Sequence, residues 1–140
     1  MGRKSKIKPT QTPYTGELLS PSQTEQNNKV SFNFRYLQDT DKFCFTAREK
    51  DYFLTVLDRL SNVCNMTRQE LIHSHDKTLR CHQIDWDSVT EDSFDIKNPD
   101  IGDDAWQFSL TSNEHGRVHG FFIQDVFYVR WLDPEHQLYQ

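Results

Sequence analysis

The chain has 140 residues, a formal net charge of −5, and 35% hydrophobic with 13% aromatic content. That length suits one compact domain and excludes two comfortable ones, and its ten Phe, five Tyr and three Trp supply the large rings a modest core needs. The net acidity speaks against a dedicated nucleic-acid binder, because phosphate contacts require clustered cations.

Residues 1–29 read as a flexible basic tail. They are rich in Lys, Pro, Thr, Ser, Gln and Asn and carry no sustained apolar period, so burial cannot offset their ordering entropy. Within "RKSKIK", Lys4 and Lys6 are candidate contacts to RNA or to another acidic partner. Order is expected from "KVSFNFRYL", where Val30, Phe32, Phe34 and Tyr36 alternate with polar residues at the period of a half-buried strand.

Thr46 and Glu49 have the spacing of a capping box. They introduce a helix over about 47–63 whose stripe is Phe53, Val56, Leu57, Leu60 and Cys64. A second box, Thr67 with Glu70, opens a short helix carrying Leu71, Ile72 and His75, so the two form a helical hairpin. Residues 76–104 then read as an acidic surface loop pinned by Ile84, Trp86, Phe94 and Ile101.

Three strands follow, "AWQFSLTS", "GRVHGFFI" and "VFYVRWL", the last two joined at Gln124-Asp125. The expected fold is α+β, with two N-terminal helices packed on one face of a small, mostly antiparallel sheet in the order β-α-α-β-β-β. Residues 30–140 form that single domain. Cys44, Cys64 and Cys81 show no close pair. An odd count with no leader or spanning segment points to a reducing cytoplasm and no membrane, with Cys44 and Cys64 as packing residues.

A two-residue turn at 124–125 sets His119 opposite Arg130 and Arg117 opposite Leu132. One face of the hairpin, with Val118, Gly120, Phe122, Phe127, Val129 and Trp131, is then the helix-packed core. The other, with Arg117, His119, Phe121, Tyr128 and Arg130, is uncovered. Cations gathered so closely favour an anion between them, a phosphate or a partner's carboxylate. A solvated face paired with Glu114 or the acidic loop would give the same pattern. In "DPEHQLY", a turn at Asp-Pro could fold His136 and Tyr139 back beside this face, His136 as a candidate acid or base. His73, His75, Cys81 and His82 are metal-capable types, but their spacing matches no zinc pattern, so neither a metal nor a cofactor is expected.

The element order, and the layout of "WQFSLTSNEHGRVHGFFIQDVFYVRWLDPEHQLY", resemble the RelE/ParE toxin superfamily, its YoeB-like members in particular. The topology is similar over about residues 30–139 and the residue pattern over about 106–139. The resemblance implies a metal-independent endoribonuclease that cuts mRNA, usually on the ribosome, in a toxin–antitoxin or phage-defence setting with an antitoxin as partner. It implies Arg117 and Arg130 as phosphate contacts and His136 or Tyr139 as general acid. It assigns no role to His119 or Tyr128, which stand on the face geometry as RNA or anion contacts. The chain departs from the family in its acidity, its tail, its long loop, and in offering only Glu70 and Lys77 where a base is often found. A non-catalytic protein-interaction module of the same fold, and an anion- or nucleotide-sensing domain, are the rival functions.

Overall fold

The computed structural model describes residues 28–99, 101 and 104–139; Lys4 and Lys6 lie outside them. The elements are β1 (Ser31–Asn33), α1 (Lys50–Val63), α2 (Arg68–Ile72), β2 (His82–Gln83), β3 (Ala105–Ser109), β4 (Arg117–Ile123) and β5 (Val126–Asp133). The five strands form one sheet in the order β1-β5-β4-β3-β2. The fold is thus α+β, but the helices sit mid-chain and the sheet is mixed, with β1 parallel to β5 and the remaining pairs antiparallel.

The local signals for α1 and α2 have different fates. The Thr67–Glu70 box forms with both of its hydrogen bonds, Thr67 N–H to Glu70 Oε1 at 2.8 Å and Glu70 N–H to Thr67 Oγ1 at 3.1 Å. The Thr46–Glu49 box does not. Thr46 gives its hydroxyl to Asp39 instead, and Glu49 is a side-chain-free N-cap. The buried stripe of α1 is Tyr52, Val56, Leu60 and Val63; Leu57 and Cys64 are exposed and Phe53 is only partly buried. One register step around the helix separates expectation from structure.

The helices cover one sheet face, where Val56, Leu60, Val63 and Leu71 meet Phe108, Val118, Phe122, Phe127 and Val129. The opposite face is covered as well, contrary to the uncovered hairpin face expected. Phe43, Ile84, Phe94, Ile101 and Leu138, all buried, close over Phe121 and Trp131. The acidic loop is therefore a second wall of the core: three of its four apolar anchors are buried and Trp86 is partly so.

A bulge decides the hairpin register. Pairing runs as expected from Ile123↔Val126 to Gly120↔Val129, then slips by one residue, giving His119↔Trp131, Val118↔Leu132 and Arg117↔Asp133. Trp131 thereby leaves the helix face and stacks on Phe43 with ring centroids 4.3 Å apart. Gly120 permits the slip, since a Cβ there would lie 2.1 Å from the Tyr128 carbonyl oxygen.

Candidate functional site

The slip sorts the polar residues of the covered face into cross-strand rows, Ser109–Arg117–Asp133 and His82–Gln107–His119–Trp131. Arg117, Gln107, His82 and Asp133 from these rows line a cavity of about 230 Å³, which His136 and Tyr139 complete from the C-terminal segment. Of the sequence candidates, Arg117, His136 and Tyr139 come together here. His119 sits one layer below, and Tyr128 and Arg130 are elsewhere.

The two arginines are in opposite situations. Arg130 is buried, and its fork is spent: Nε and Nη2 donate to the Phe94 carbonyl at 3.1 and 2.8 Å, and Nη1 to the Tyr36 carbonyl at 2.8 Å. It ties the two covering segments to β5, so the expected Arg117–Arg130 clamp does not exist. Tyr128, partly buried, packs flat on Phe121 with centroids 5.2 Å apart, against the second core. Arg117 is half-buried, and among the described residues its guanidinium makes one long bond, 3.4 Å to the Gly116 carbonyl. Burial and the neighbouring Arg80 charge lower its pKa, while Asp133 raises it. Most of its five donors remain unspent in a concave, partly dry place.

His119 is fully buried. Its Nε2 lies 2.9 Å from Asp133 Oδ2 and its Nδ1 has no partner among the described residues. Burial lowers the imidazole pKa against the opposing pull of Asp133, so the neutral ring donates through Nε2–H. Burial alone would raise the Asp133 carboxyl, but the bond from His119 and the backbone N–H groups of Gln137 and Leu138 hold it below the usual carboxylate value. Gln137 N–H reaches Asp133 Oδ1 at 2.7 Å and Leu138 N–H reaches Oδ2 at 3.0 Å.

Asp133 therefore fixes the turn that carries His136 to the cavity. His136 has φ +57°, left-handed for a side-chain-bearing residue, and no side-chain hydrogen bond among the described residues. Gly116, at φ +79°, lets the Asp133-Pro134 backbone pass directly above it; a Cβ would sit 1.9 Å from the Asp133 carbonyl oxygen.

On the far wall, His82 Nδ1 is 2.7 Å from the Gln83 carbonyl and its Nε2 is 3.0 Å from Gln107 Nε2. The Tyr139 ring meets His82 edge-on at 5.8 Å, and its hydroxyl accepts from Asp85 N–H at 3.0 Å. His82, Gln107 and Asp133 were not among the sequence candidates for this chemistry. Their register opposite Arg117 and His119 was the available signal, and reading it required the bulge. Glu70 is occupied in its capping box, away from the cavity.

The cavity gathers the guanidinium of Arg117, the carboxylate of Asp133 and the imidazole of His136 around one space. Among the described residues, no group of three or more His, Cys, Asp or Glu could hold a metal ion, and no helix is long and apolar enough to cross a membrane. No family model, curated protein or solved structure matches the chain.

Proposed function

We propose that the Arg117 cavity binds a phosphate of an RNA strand and that the chain is a RelE-like, metal-independent endoribonuclease. The observation that carries this reading is the unspent guanidinium of Arg117 in the same small cavity as the uncommitted side chain of His136. The element order, strand, two helices and then a run of antiparallel strands, supports it further.

In such a reaction the RNA 2′-hydroxyl gives its proton to solvent water and attacks the adjacent phosphorus, a 2′,3′-cyclic phosphate forms as the P–O5′ bond breaks, and the departing oxygen takes a proton. Arg117 neutralises the charge that builds on the non-bridging oxygens, and His136 hands its proton to the leaving group. Arg130 has no part in this account.

One observation favours the rival anion-sensing reading. Of the cavity's two histidines, His82 has both ring nitrogens engaged, which leaves His136 as the one imidazole of the cavity without a hydrogen bond among the described residues. Inducible expression of wild type beside Arg117→Ala and His136→Ala, scoring growth and RNA 5′ ends, separates the two. Growth arrest with new RNA ends that both substitutions abolish is the nuclease result. Harmless expression with retained phosphate binding is the sensor result.

A further inference from the structure

Gln107 is 4% exposed, lines the cavity, and has an Oε1 with no partner among the described residues. Its orientation is set by a relay. The Gln83 carbonyl can only accept, so His82 Nδ1 must donate to it. The Gln107 amide places its Nε2 3.0 Å from the other ring nitrogen and donates to it. The amide oxygen, itself closed off from solvent, is thereby left needing a donor. A buried acceptor in that state is costly, and a ligand donor that the amide shifts to meet at the cavity wall relieves the cost.

The cavity thus makes two requirements: an anion for Arg117, and a hydroxyl or N–H donor for Gln107 Oε1 close by. We infer that Gln107 reads the ribose 2′-hydroxyl next to the phosphate held by Arg117, so that the ligand is a ribonucleotide and not a deoxyribonucleotide. The inference rests on the phosphate reading of Arg117 and adds the basis of sugar selection. A 2′-deoxy ligand would leave Oε1 unsatisfied, and sites built to bond a hydroxyl reject analogues lacking it far more strongly than a missing methylene. Gln107 is a specificity residue; no proton transfer is assigned to it.

The test is calorimetric titration of the full chain with inorganic phosphate, a ribonucleoside 3′-monophosphate and its 2′-deoxy counterpart, none of which offers a bond for the proposed cleavage. The ribonucleotide should bind at least about tenfold more tightly than the deoxynucleotide. Gln107→Leu should bring the ribonucleotide to the deoxynucleotide level and leave inorganic phosphate unchanged. His82→Ala, at an exposed position, frees the amide to turn and should erode the preference in the same sense even if Gln107→Leu does not fold. Equal binding of the two nucleotides, with phosphate binding still lost in Arg117→Ala, overturns the role of Gln107 alone. Absence of any phosphate binding, or binding indifferent to Arg117→Ala, overturns both this inference and the phosphate reading beneath it.

Discussion

His119 Nε2 and Asp133 Oδ2 are 2.9 Å apart across the sheet, with both side chains 1% exposed. The same carboxylate receives the Gln137 and Leu138 N–H groups, so one buried pair joins the centre of the sheet to the segment that brings His136 and Tyr139 over Arg117. Asp133→Ala strands the imidazole and frees that segment. The change leaves the His119 ring N–H and the Gln137 and Leu138 N–H groups without their acceptor, at roughly 1–3 kcal/mol for each donor left buried, and urea unfolding should register a loss of several kcal/mol.

The pair also sets the pH response. His119 has a lowered folded pKa, so between that value and about 6.5 the unfolded chain binds more protons than the native one, and stability falls as the solution is acidified through this window. The lowered Asp133 pKa contributes stability that is present above about 3.9 and lost as pH drops through its folded value. Melting temperatures should therefore decline in two stages as the solution is acidified, the His119 stage below about pH 6.5 and the Asp133 stage below about pH 3.9. His119→Asn should remove the upper one, and an unaltered upper stage in that variant contradicts the assignment.

Arg130→Ala and Arg117→Ala should separate cleanly. The first leaves the Phe94 and Tyr36 carbonyls without their donors under the covering segments, a loss on the order of 2–4 kcal/mol. The second removes a side chain that makes one long bond and should change stability by less than about 1 kcal/mol. Parallel thermal melts check the contrast.

Trp131 is 4% exposed, stacked on Phe43 and edge-on to Phe94 at 5.1 Å. Trp131→Ala should cost about 3–5 kcal/mol. Phe53, expected on the buried stripe of α1, is only partly buried against Phe45 and Tyr52, and Phe53→Ala should cost clearly less in the same urea titration.

His136→Gly relieves a left-handed backbone at φ +57°. It should leave stability unchanged or raise it by up to ~1 kcal/mol, while abolishing any RNA cleavage. Unfolding midpoints measured beside cleavage assays would expose a merely structural His136 by a stability loss.

Much of this could be read from residue periodicity. Alternation marks β3, β4 and β5, the turn falls at Gln124-Asp125, and the Thr67–Glu70 box starts α2. Two things could not be read that way. The covering segments have no period, because each contributes isolated anchors such as Phe43, Phe94 and Ile101, and an anchor does not say which face it meets. The bulge inserts one residue between Val129 and Trp131, which moves every later side chain of β5 to the other face. Gly120 inside a strand was its visible trace. Missing it paired His119 with Arg130 where the chain pairs it with Trp131 and bonds it to Asp133.

The unspent fork of Arg117 is the group on which anion binding at this cavity depends. The most direct measurement is the melting temperature of wild type and Arg117→Ala with and without inorganic phosphate at fixed ionic strength. Phosphate should stabilise wild type in proportion to occupancy by mass action and leave Arg117→Ala unmoved. Equal stabilisation of both proteins, or of neither, would contradict a phosphate site at this cavity.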